Sequence, residues 1–117
     1  MSKVKIKSKI ISNDQKIIEN ISGIIESGII SYQENNNTYV YLDINRDELI
    51  RENEEMNMKY AFNEKSITKS QIIVKSLNQQ LELDIKTNLI EKSKNKYKVE
   101  YQIEEDKFTY ELEYMEV

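Results

Sequence analysis

The chain is predicted to be all-β, a single antiparallel up-and-down barrel of about eight to ten strands. Three observations carry that prediction. From Leu81 onward, every second position is apolar or Thr87 through three successive segments: Leu81, Leu83, Ile85, Thr87, Leu89; then Tyr97, Val99, Tyr101, Ile103; then Phe108, Tyr110, Leu112, Tyr114. Polar residues fill the alternate positions, and a period of two marks strands with one buried and one wet face. Second, short Asn, Asp and Gly signals punctuate the chain at intervals suited to hairpins. Third, there is no proline to break a ladder.

At the start, Val4, Ile6, Ser8 and Ile10 alternate with Lys3, Lys5, Lys7 and Lys9, placing the lysines on one outer strand face. Ser12-Asn13-Asp14 reads as a turn. Ile17, Ile18, Ile21, Ile24 and Ile25 fit a helix face as well as a strand. The density of β-branched residues favours a strand, with a bulge expected at Gly23. Gly28 opens a strand from Ile29 to Glu34, Asn35-Asn36-Asn37 forms a loop, and Thr38 to Ile44 returns. Asn45-Arg46-Asp47 turns into Glu48 to Glu52; Met56, Met58, Tyr60 and Phe62 alternate next. After Asn63-Glu64-Lys65 comes a strand from Ile67 to Lys75, joined by Ser76 to Gln79 to the C-terminal three.

At 117 residues, one domain spanning 1–117 is expected. The chain has no cysteine and no histidine, so disulfides, thiolate metal sites and the commonest nucleophiles, bases and zinc ligands are excluded. No cofactor or metal is expected, and the balance leans away from an enzyme. A net charge of −4 argues against a general nucleic-acid binder. No apolar run approaches a membrane span, and no secretory leader is evident. A cytoplasmic monomer or homodimer is the simplest expectation.

A resemblance rests on Tyr32-x-Glu34, Arg51 after Asp-Glu-Leu-Ile, the Met58 to Phe62 segment, the Leu81 to Thr87 run and Val99-x-Tyr101. In the order and spacing of these residues the chain resembles the YwiB-like family of small bacterial proteins, a domain of unknown function. The resemblance implies a calycin-like (lipocalin-like) β-barrel over essentially the whole chain. Glu52-Asn53-Glu54 stands where the family usually has a glycine after the arginine. Ile72 to Asn78 replaces its usual aromatic, proline and glycine.

A barrel of this kind is filled by side chains or holds one small ligand. Strand parity places Ile30, Tyr32 and Glu34 on one face, and Leu49 and Arg51 on one face. A charge turned toward a low-dielectric interior needs a partner, so Glu34 and Arg51 are expected to pair inside or at the mouth. Tyr32, Glu34, Arg51, Tyr60, Thr87 and Tyr101 are therefore the candidate ligand-binding set, with Arg51 able to hold an anionic group by its planar fork. The same residues can instead be a structural plug. Eight tyrosines against two phenylalanines suit either a pocket lining or ordinary packing. Tyr39 and Tyr41 fall on the outer face. The acidic clusters Glu52-Asn53-Glu54-Glu55 and Glu104-Glu105-Asp106 lack calcium-loop spacing and read as solvated turns.

Two functions follow. One is a barrel binding a small apolar or anionic molecule in its interior. The other is an interaction or scaffold module with a filled core, using an outer sheet face or edge.

Overall fold

A computed structural model describes residues 1–117. Ten antiparallel strands follow one another: β1 (Ser2–Ser12), β2 (Gln15–Glu26), β3 (Ile29–Gln33), β4 (Tyr39–Asp43), β5 (Glu48–Glu52), β6 (Met56–Ala61), β7 (Thr68–Val74), β8 (Gln79–Ser93), β9 (Lys96–Ile103) and β10 (Asp106–Glu116). Each pairs with its sequence neighbours, and β1 pairs with β10 to close the barrel. Closure removes the two edges that an open sheet would leave. No helix is long and apolar enough to cross a membrane.

The hairpins use the expected residues. Ser27 and Gly28 both take positive φ, 51° and 80°, as a two-residue loop of primed geometry requires. Asn13, Asn37, Asp47, Asn78 and Asn95 occupy the same left-handed region, where their short polar side chains are tolerated. Lys75–Leu77 adds a single 3-10 turn between β7 and β8.

Parity holds along most of the wall. Val4, Ile6 and Ser8 are buried while Lys3, Lys5 and Lys7 are exposed. The ambiguous isoleucine segment is strand, its inward positions Ile21 and Ile25 packing against the core. The bulge expected at Gly23 is absent: β1 and β2 pair without a break from Ser12 opposite Gln15 to Ser2 opposite Ile25. Gly23 answers a different need. A Cβ there would lie 2.5 Å from Ile6 Cδ1 and 2.6 Å from the Ser31 carbonyl oxygen, so the glycine permits a close approach.

The bulge falls in β8 instead. Thr87 pairs with Tyr101 and Leu89 with Glu100, leaving Asn88 as the extra residue. Side-chain parity flips there, so Ile90 rather than Leu89 packs against the core. Leu81, also expected inside, is 50% exposed. It belongs to the part of β8 paired only with β7, since β9 joins the ladder at Lys86. That hairpin overhangs the barrel rim.

Candidate functional site

The sequence-derived candidates converge within the barrel. Glu34 directly follows β3, where its N–H donates to the Thr38 carbonyl at 2.8 Å and its carbonyl accepts from Asn37 N–H at 3.0 Å. This tight turn holds the carboxylate on the face of Ile30 and Tyr32. Arg51, on β5, stands opposite Val40 and Met58 and so shares that interior. Its Nη2 donates to Glu34 Oε1 at 2.6 Å. The glutamate side chain is only 3% exposed, whereas the arginine side chain reaches the rim at 25%. Burial works against the Arg51 charge, but the Glu34 carboxylate beside it more than compensates and raises its pKa above the ordinary value. Arg51 Nε is buried without a hydrogen-bond partner.

Below the ion pair, the Tyr32 and Tyr110 hydroxyls meet at 2.7 Å. Burial pushes the Tyr32 hydroxyl up to about 12, against smaller lowering from Tyr110 and Ser8. Tyr110 is also shifted well upward, first by burial and then by Tyr32. The Tyr60 hydroxyl donates to Met58 Sδ at 3.3 Å. Burial raises its pKa, with nearby Arg51 pulling the other way. Tyr101 is raised too, chiefly by burial. Its ring joins Tyr60, Phe62 and Phe108 in one aromatic cluster, with centroids 5.0 Å from Phe62 and 5.2 Å from Phe108.

Five of the six candidates, Tyr32, Glu34, Arg51, Tyr60 and Tyr101, thus lie in one connected interior group. Thr87 faces inward opposite Tyr101, but its Oγ1 is engaged in accepting the Asn63 backbone N–H at 3.1 Å. Tyr110, Ser8 and Met58 complete the network and were not among the candidates. Ser8 was the available signal, a lone hydroxyl in the apolar row Val4, Ile6, Ile10. At the opposite end, the Tyr97 hydroxyl donates to Asp47 Oδ1 at 3.0 Å, and Lys92 Nζ lies 3.0 Å from the same oxygen.

Ten strands enclose a wider bore than eight, and large aromatic side chains fill it. Tyr32, Tyr60, Phe62, Tyr97, Tyr101 and Tyr110 are all at most 9% exposed. Three of the larger concavities lie elsewhere. One of about 630 Å³ crosses the outer wall from Lys3 and Lys5 to Tyr39 and Tyr41. Another, about 730 Å³, lies between Lys5, Lys7 and the β8–β9 turn. A third, about 700 Å³, lies on the rim between the β3–β4 and β5–β6 loops. Tyr39 and Tyr41 face outward as the alternation required, 49% and 42% exposed.

No family model matches the chain, and no curated protein matches it in sequence. In structure it is similar to the crystal structure of the ywiB protein from Bacillus subtilis, at 14% sequence identity. The superposition has a TM-score of 0.58 and covers 96% of this chain and 91% of that one. The fold is therefore a YwiB-like barrel.

Proposed function

We propose that this protein is a non-catalytic binding module whose filled barrel presents its outer wall to a partner protein. One contrast carries the reading. The interior is occupied by the protein's own aromatic side chains, while the wall between β1 and β4 is concave and open. Tyr39 and Tyr41 stand half exposed on this concave face, and contiguous exposed apolar surface marks interaction sites. In this reading Glu34 and Arg51 hold the interior together.

A second reading is a small anion bound at the barrel mouth, and one observation favours it. Arg51 Nε is a buried donor with no acceptor, and a buried unpaired donor is costly. The interior as packed offers a fatty-acid-sized ligand no comparable feature.

A thermal-shift panel of metabolites, carboxylates, phosphates and fatty acids separates the two. The outer-wall reading expects no member to raise Tm appreciably. Stabilisation by several degrees that disappears in a folded Arg51→Lys variant would establish the mouth as the site instead.

A further inference from the structure

We propose that the trough between β1 and β4 is a docking groove for an extended acidic segment of a partner protein, alternating carboxylate with aromatic or aliphatic side chains. The inference rests on the outer-wall reading and names the partner's chemistry.

Strand register builds the groove. Lys3 stands opposite Ile24, Ile24 opposite Ser31, and Ser31 opposite Tyr41. A line across the four strands therefore begins in an ammonium group and ends in a phenol. One dipeptide further along, Lys5 pairs with Ser22 on one side and Gln33 with Tyr39 on the other. The trough has a basic bank and an aromatic bank, with Ser22, Ile24, Ser31 and Gln33 between them. Ile6, Tyr32 and the Ser31 carbonyl occupy the space a side chain at Gly23 would need, and Gly23 itself lines the trough.

The charge is selective. The chain carries 21 acidic residues against 17 basic ones. Yet the only charged side chains lining the trough are Lys3 and Lys5, with the Val117 terminal carboxylate at one end of it. Neither Lys3 nor Lys5 joins an ion pair, although Lys9 farther along β1 and Lys96 on β9 both contact Glu111. Two free ammonium groups beside Ile24, Tyr39 and Tyr41 complement a ligand that is both anionic and apolar.

Spacing selects an extended peptide. Lys3 and Lys5 are one dipeptide apart, as are Tyr39 and Tyr41, a repeat of roughly 7 Å. Carboxylates at i and i+2 of an extended chain have the same repeat. Lying lengthwise, such a segment turns its odd side chains to the lysine bank and its even ones to the tyrosine bank. The banks are three strand spacings apart, about 14 Å, enough for one chain with its side chains. A single-stranded nucleic acid also combines anions with planar faces. The net charge of −4 and a lining of two lysines supply too little phosphate neutralisation for it.

The test is fluorescence anisotropy with the full chain and three labelled probes: a hexapeptide alternating glutamate and phenylalanine, its lysine–phenylalanine counterpart, and a hexauridine. The glutamate peptide binds, and added salt weakens it. Lys3→Glu with Lys5→Glu weakens it by about tenfold or more, and the gentler Lys3→Gln, Lys5→Gln pair weakens it less. Tyr39→Ser and Tyr41→Ser each cost roughly fivefold. Lys86→Gln, an exposed change on β8 outside the trough, leaves binding unchanged, and circular dichroism confirms that every variant is folded. Preference for the basic peptide or for hexauridine, or indifference to the lysine changes, overturns the proposal. So does an effect of the trough variants on sedimentation alone, which would identify a second copy of this chain as the occupant. Loss of peptide binding by itself removes this partner class. A metabolite that stabilises the barrel through Arg51 removes the outer-wall reading beneath it.

Discussion

Tyr32 and Tyr110 join across the barrel interior: their hydroxyls are 2.7 Å apart, although two strands of wall separate β3 from β10. Each hydroxyl satisfies the other in a place water does not reach. Removing one leaves its partner buried and short of a hydrogen bond, at about 1–3 kcal/mol. The costs should be unequal. Tyr110→Phe leaves Tyr32 beside Ser8, whereas Tyr32→Phe strands Tyr110, so the second variant is the less stable. The double variant should cost less than the sum of the singles. Urea unfolding of the four proteins measures this, and strict additivity would show that the two hydroxyls are not coupled.

The Glu34–Arg51 pair should show a similar asymmetry for a different reason. Arg51→Met abandons a carboxylate whose side chain is 3% exposed, while Glu34→Gln leaves a guanidinium 25% exposed at the rim. The first variant is expected to lose roughly 3 kcal/mol or more, the second distinctly less because water reaches the freed cation. Arg51→Met with Glu34→Leu should recover much of the loss, since an apolar pair leaves no charge unpaired. Chemical denaturation reads all three. Equal costs for the single variants would mean that the arginine is as sealed from solvent as the glutamate.

Alternation along the chain revealed which face each strand buries, and therefore the inward placement of Tyr32, Glu34 and Arg51 and the outward placement of Lys3, Lys5, Tyr39 and Tyr41. Two charges turned into one interior made the Glu34–Arg51 pair legible, but alternation carries no such signal for uncharged groups. Tyr32 and Tyr110 are 78 residues apart in sequence, and barrel closure alone brings them together. Parity also fails where a strand gains a residue. Asn88 carries no signature separating a bulged asparagine from a paired one, so strict alternation puts Leu89 inside where the fold has Ile90. Leu81 misled for another reason: its hairpin alternates correctly but runs past the rim, where there is no interior to face. The partial pairing of β2 with β3, over Gly23–Glu26 only, likewise leaves Ile17 in solvent despite its inward parity, whereas Ile18, opposite Lys9, faces outward.

Gly23→Ala tests the close approach of β1, β2 and β3. The new methyl would meet Ile6 Cδ1 at 2.5 Å and the Ser31 carbonyl oxygen at 2.6 Å. The first contact is with the end of a side chain and can yield; the second is with backbone and cannot yield without shifting the ladder. A loss of about 1–3 kcal/mol is expected from such overpacking. Adding Ile6→Val should return only part of it. Thermal unfolding measures both variants, and full rescue by Ile6→Val would place all the strain on the isoleucine.

Alkaline pH should weaken the barrel through its tyrosines. Burial raises the Tyr32 hydroxyl to about 12 from an ordinary 10.0, and burial likewise raises Tyr60, Tyr97, Tyr101 and Tyr110. Between pH 10 and 12 the folded protein keeps the Tyr32 proton while the unfolded chain releases it. The folded state then binds more protons, so stability falls as pH rises. The contribution is complete below about pH 10, the unfolded value, and is lost as pH climbs through the folded one. Urea midpoints collected from pH 8 upward should hold level and then decline above pH 10. Tyrosinate absorbance from the interior rings should appear together with loss of β-sheet dichroism. Ionisation of all eight tyrosines at the ordinary value with the sheet intact would contradict the sealed aromatic interior on which the outer-wall reading depends.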